Sequence, residues 1–106
     1  MSVITLDVIY QACDLLEVDT EQIYTDYRGA PGGEECVGIV VDNRADVYRV
    51  NAAVMAAALE ALSIERGDDF HIPNEAADIM HELSDTRVDN MGRGTIVYWP
   101  RVQAEG

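Results

Sequence analysis

Lysine is missing from this chain, and its seven arginines face 20 acidic residues, for a formal net charge of −13. A surface so short of cations repels phosphate backbones and anionic headgroups, so direct binding to nucleic acid or to a membrane is not expected. It attracts basic surfaces and steers them in quickly at low salt. Acidic, lysine-free chains also arise from GC-rich coding or adaptation to high salt, so charge alone does not assign a function.

Cysteine is scarce too. Cys13 and Cys36 have no second Cys or His pair near them and sit among apolar neighbours. Both are expected to be reduced, buried and small rather than bridged or metal-bound. The N-terminus lacks a basic n-region, and Asp7, Asp14 and Glu17 interrupt any signal-like run. No 18-residue apolar segment is apparent, so no membrane span is expected, and a cytoplasmic location follows by elimination.

Chemical signatures are equally sparse. The loop Arg28–Glu34 is glycine-rich, but it has no phosphate-binding spacing and no lysine, and Glu34 with the adjoining Glu35 would repel a phosphate. Asp68, Asp69, His71 and His81 are the best local metal candidates, yet no metalloprotease or calcium-loop pattern joins them. His81 falls between Asp78 and Asp85, but a base oriented by Asp needs a nucleophile or a cleft. Ser63, Ser84 and Cys36 have no nucleophile context. No cofactor, no metal and no catalytic residue is therefore expected.

What is present is the material of one domain, residues 1–106, long enough for a single core. Leu6, Ile9, Tyr10, Cys13 and Leu16 recur at helical spacing behind a Thr5 cap. Asp19 and Gln22 have capping-box spacing, with Val18 and Ile23 at the staple positions, which predicts a second, short helix ending near Gly29. Cys36 to Val41 is the longest β-branched run and reads as a buried strand. The turn formers Asp42 to Ala45 follow, and Asp46 to Val50 alternates like a hairpin partner. Asn51 is a good cap for an alanine-rich helix from Ala52 to Leu62. Pro73 and Asn74 start a further helix, with Ala76, Ile79, Met80 and Leu83 inward and Glu75, Asp78, His81, Glu82 and Asp85 outward. Val88 begins the partner of a last strand, Thr95 to Trp99, which Pro100 ends, and Gln103 to Gly106 reads as a frayed tail. Tyr48, Tyr98 and Trp99 are expected to pack across the sheet. The expected fold is α+β in two layers, with a small, mostly antiparallel sheet of about three strands against about four helices.

The acids concentrate on the outer helices, while the stretch from 36 to 64 is nearly neutral. The leading expectation is a small non-enzymatic module, an inhibitor or antagonist that occludes a basic nucleic-acid-binding or nuclease surface on a partner. Its helical carboxylates would stand in for phosphates, as in immunity proteins or phage-encoded antagonists by analogy. The expected contact set is Asp7, Asp14, Glu17, Asp19, Glu21, Glu75, Asp78, Glu82 and Asp85. The alternative is a homo-oligomeric assembly subunit, a homodimer packed through its alanine-rich helix or a sheet edge, whose acidity is background.

Overall fold

Thr5 opens the first helix as its chemistry predicts: its hydroxyl accepts from the Val8 amide at 3.3 Å, and α1 runs Leu6–Leu16. The computed structural model describes residues 3–29, 32–33, 35–92 and 94–99, with the backbone alone for Thr20 and Met91. Ala30, Pro31 and Glu34 of the expected loop, Arg93 of the last turn, the stop at Pro100 and the tail Gln103–Gly106 lie outside the described residues. Helix α1 ends at Glu17, which takes the left-handed conformation (φ 57°) although it is not glycine. The Glu17 amide then donates to Asp14 and the Val18 amide to Cys13, so two terminal carbonyls are satisfied.

The expected second helix does not form. Thr20–Gln22 makes one 3₁₀ turn and the chain continues as strand β1, Ile23–Tyr27. Half of the capping box is present, since Gln22 Oε1 accepts from the Asp19 amide at 3.3 Å. However, Gln22 Nε2 donates to the Val40 carbonyl at 2.8 Å, tying the segment to strand β2, Cys36–Val41. The β-branched and aromatic residues Ile23, Tyr24, Thr25 and Tyr27 favour pairing with that strand over a short isolated helix.

The expected hairpin after β2 does not form either. Arg44–Asp46 is a 3₁₀ turn, in which the Asp46 carboxylate accepts from the Asn43 amide at 3.4 Å, and α2 runs Val47–Arg66. Val47 and Val50 belong to the same helical stripe as Val54 and Ala57, so the 3.6-residue period extends upstream of Asn51. Asn51, inside the helix, accepts from Thr86 Oγ1 at 3.3 Å, and that oxygen accepts from Trp99 Nε1 at 3.1 Å. Tyr48 is consequently on a helix and exposed, not stacked on the sheet. By length and composition, α2 is long and apolar enough to cross a bilayer, against the expected absence of any such segment. In this fold its Val50, Ala53, Val54, Ala57, Ala58 and Leu62 are buried.

After a 3₁₀ turn at Gly67–Asp69 come α3, Ile72–Leu83, and a terminal hairpin of β3, Arg87–Met91, and β4, Gly94–Trp99. The described residues hold three α-helices and a four-stranded sheet of order β1-β2-β4-β3, antiparallel throughout. Alternation sorts the strands into two faces. Val37, Ile39, Val41, Val97 and Trp99 join the residues of the three helices in the main core. Cys36, Ile96 and Tyr98 form a smaller cluster on the opposite face with Tyr27 and Val40.

Candidate protein-binding face

The nine acids singled out from the sequence do not behave alike. Asp7, Asp14, Glu17, Asp19 and Glu21, on α1 and its exit, are all exposed. None of them makes an ion pair with another described residue. Asp7 and Asp14 are seven residues apart and therefore share one side of α1. Two large apolar side chains lie exposed in the same helix, Tyr10 at 41 % and Leu15 at 53 %. Helix α2 packs against both α1 and α3. Of the acids on α3 and just after it, Asp78 is the exposed one.

Glu75 and Glu82 correct the expected outward face of α3. Glu75 is only 4 % exposed and its carboxylate is held by the Arg66 guanidinium, which pins α3 to the end of α2. Burying a carboxylate this far is costly unless it is paired, and breaking such a pair is strongly destabilising. Glu82 Oε2 accepts from the Val3 amide at 2.7 Å and Oε1 from the Ile4 amide at 3.3 Å. Both amides lie just ahead of the N-cap Thr5, so Glu82 ties α3 to the entry of α1. Asp85 is half-buried and already engaged. Met80, placed inward by its spacing, is instead 63 % exposed.

The structure also contains a groove to which the sequence did not point. It lies between the start of α1 and the end of α2, with a volume of about 300 Å³. Val8, Ala57, Ala61 and Ile64 supply its apolar lining, and Asp7 and Glu60 its carboxylates. Thr5 and Gln11 complete the α1 side. Near the other end of the helix pair, Leu16 and Val50 line a common cleft, so α1 and α2 run antiparallel. The signal that could have revealed the groove is the spacing of Ala57, Glu60, Ala61 and Ile64, which puts two small residues, an acid and an exposed apolar residue along one ridge.

The candidates for chemistry are scattered. His71 precedes α3 and His81 lies in its last turn, about 15 Å apart at the helical rise. Asp68 and Asp69 are exposed in the preceding turn. Among the described residues, no group of three or more His, Cys, Asp or Glu is arranged to hold a metal ion. Both cysteines are free and buried. Burial, and then the neighbouring charge of Asp14, pushes the Cys13 thiol up to about 11, and burial followed by Asp89 raises Cys36. Both therefore remain thiols at neutral pH.

On the smaller-cluster face, Tyr27 Oη donates to Asp89 Oδ2 at 2.7 Å, joining the two edge strands across the sheet. Its ring meets Tyr98 edge-on, with centroids 4.9 Å apart. Comparison with protein-family models, curated proteins and solved structures gave no match to this chain.

Proposed function

We propose that this chain is a small, non-enzymatic acidic binding module whose α1 face covers a basic surface on a partner protein. A nucleic-acid-binding or nuclease component is the kind of partner whose surface has that charge. One observation carries the reading. From Asp7 to Glu21 the chain exposes five carboxylates without ion partners among the described residues, together with Tyr10 and Leu15. A solvated helix face accounts for the acids, and the tyrosine and leucine exposed in the same helix add apolar contact area to it. Aromatic anchors flanked by steering charge are what protein interfaces use. The contact set proposed from the fold is Asp7, Tyr10, Asp14, Leu15, Glu17, Asp19 and Glu21, without Glu75, Asp78, Glu82 and Asp85 of α3 and its exit.

The test begins with a partner captured at low salt and purified. Reversing Asp14 and Glu17 to arginine should weaken its binding by roughly tenfold or more, and Tyr10→Ala should weaken it as well. Affinity should also fall with salt, mainly through a slower on-rate. Reversing Asp26, exposed on β1 and outside the contact set, is the control. If both reversals have equal, small effects, the charge is background and the reading fails.

The assembly-subunit alternative keeps one support. β1 and β3 are the outer strands of the sheet, and either could pair with a second copy. The alanine-helix argument for it is weaker, because Ala53, Ala57 and Ala58 are buried within the chain itself. Light scattering that returns a dimer mass at micromolar concentration would favour this alternative.

A further inference from the structure

We infer that the groove between the start of α1 and the end of α2 receives one arginine or lysine side chain from the basic partner, an inference that rests on the binding reading above. The groove exists because Ala57 and Ala61 leave space where larger side chains would close the gap between the helices. Its lining suits a side chain with an apolar stem and a charged head. Ala61 and Ile64, which is 78 % exposed, offer surface to methylenes above the buried Val8 and Ala57. Asp7 and Glu60 are the carboxylate side chains of the lining, and neither is paired with a cation among the described residues.

The backbone field agrees with this occupant. The end of α2 carries about half a negative charge, and the opposing half charge at the start of α1 is smaller than the full charge of Asp7 in its first turn. An anionic ligand would meet two carboxylates, and a purely apolar one would strip water from both without replacing their hydrogen bonds. A long cationic side chain satisfies both ends of the groove.

Nuclear magnetic resonance titration of the full chain tests this. The probe is a nonapeptide with arginine at alternate positions and glycine between them, and its glutamate-substituted counterpart is the control. The expected result is a set of shifts concentrated at residues 5–11 and 57–64. Ala61→Phe, which fills the groove at an exposed position without changing charge, should weaken peptide binding by about fivefold or more. The Asp7→Asn and Glu60→Gln pair should do at least as much, whereas the Asp26→Asn and Asp42→Asn pair, outside both the groove and the contact set, should change it by less than about twofold. Thermal melts keep these results separate from misfolding, and the neutralised pair retains the inference if Ala61→Phe fails to fold. Peptide binding that every charge change weakens equally and Ala61→Phe leaves untouched overturns the groove and spares the acidic-module reading. No peptide binding by any variant overturns both. Shifts at these residues that grow with protein concentration without peptide also overturn the inference, because they assign the groove to a second copy of the chain.

Discussion

Tyr27→Phe isolates one hydrogen bond and leaves the ring that meets Tyr98 in place. The bond is short, 2.7 Å, and its acceptor is the Asp89 carboxylate. Hydrogen bonds to charged groups contribute about 1.5–3 kcal/mol, and partial solvent access at both residues puts this one near the lower figure. For a domain of this size, a loss of about 1.5 kcal/mol lowers the melting temperature by about 6–10 °C. Urea melts of wild type, Tyr27→Phe, Asp89→Asn and the double variant form a cycle whose coupling should be about 1 kcal/mol. The hydrogen bond to Asp89, ahead of burial, also pushes the Tyr27 hydroxyl up from 10.0 to about 12. A raised folded-state value means that this stabilisation is complete below pH 10 and is lost as pH rises towards 12. The gap between wild type and Tyr27→Phe should therefore be constant from pH 7 to about 9.5 and shrink above it. A cycle without coupling at pH 7, or a gap that does not change up to pH 12, would refute the reasoning.

Three further outcomes follow from the structure. Gly38→Ala would bring a Cβ to 2.8 Å from the Ile96 side chain and 3.1 Å from Tyr98 Cβ, so it should cost about 1–3 kcal/mol in urea melts. Glu82→Ala removes the acceptor of the Val3 and Ile4 amides and should raise hydrogen exchange there selectively, with a global loss of about 1–2 kcal/mol. Cys13 and Cys36 should react slowly with a thiol reagent at pH 8 in the native state and rapidly in denaturant; fast native reaction of both would contradict their burial.

Local patterns were legible where one helical period or one run of β-branched residues dominates. Thr5 and the Leu6–Leu16 stripe specify α1, Pro73 marks the first turn of α3, and Cys36–Val41 reads as a strand, because each signal needs no distant partner. That the fold is α+β with helices layered on an antiparallel sheet follows from the same patterns. Two segments were ambiguous in isolation. Ile23–Tyr27 carries a capping signal and a strand composition together, and Gln22 bonding to Val40 decides for the strand. Val47–Val50 alternates over four residues yet fits the helical stripe of α2, and burial of Val50 against the core decides for the helix.

The acids divide the same way. The sequence by itself determined their number, their clustering, and the exposure of Asp7 and Asp14 on the polar side of α1. Only the tertiary structure could turn Glu75 inward, because that depends on Arg66 arriving from the end of another helix. Glu82 is engaged because the fold brings the Val3 amide, 79 residues away in sequence, within hydrogen-bond reach of its carboxylate. The groove likewise exists only where α1 and α2 meet: each helix contributes one wall, and the space is a property of their packing rather than of either stretch of sequence.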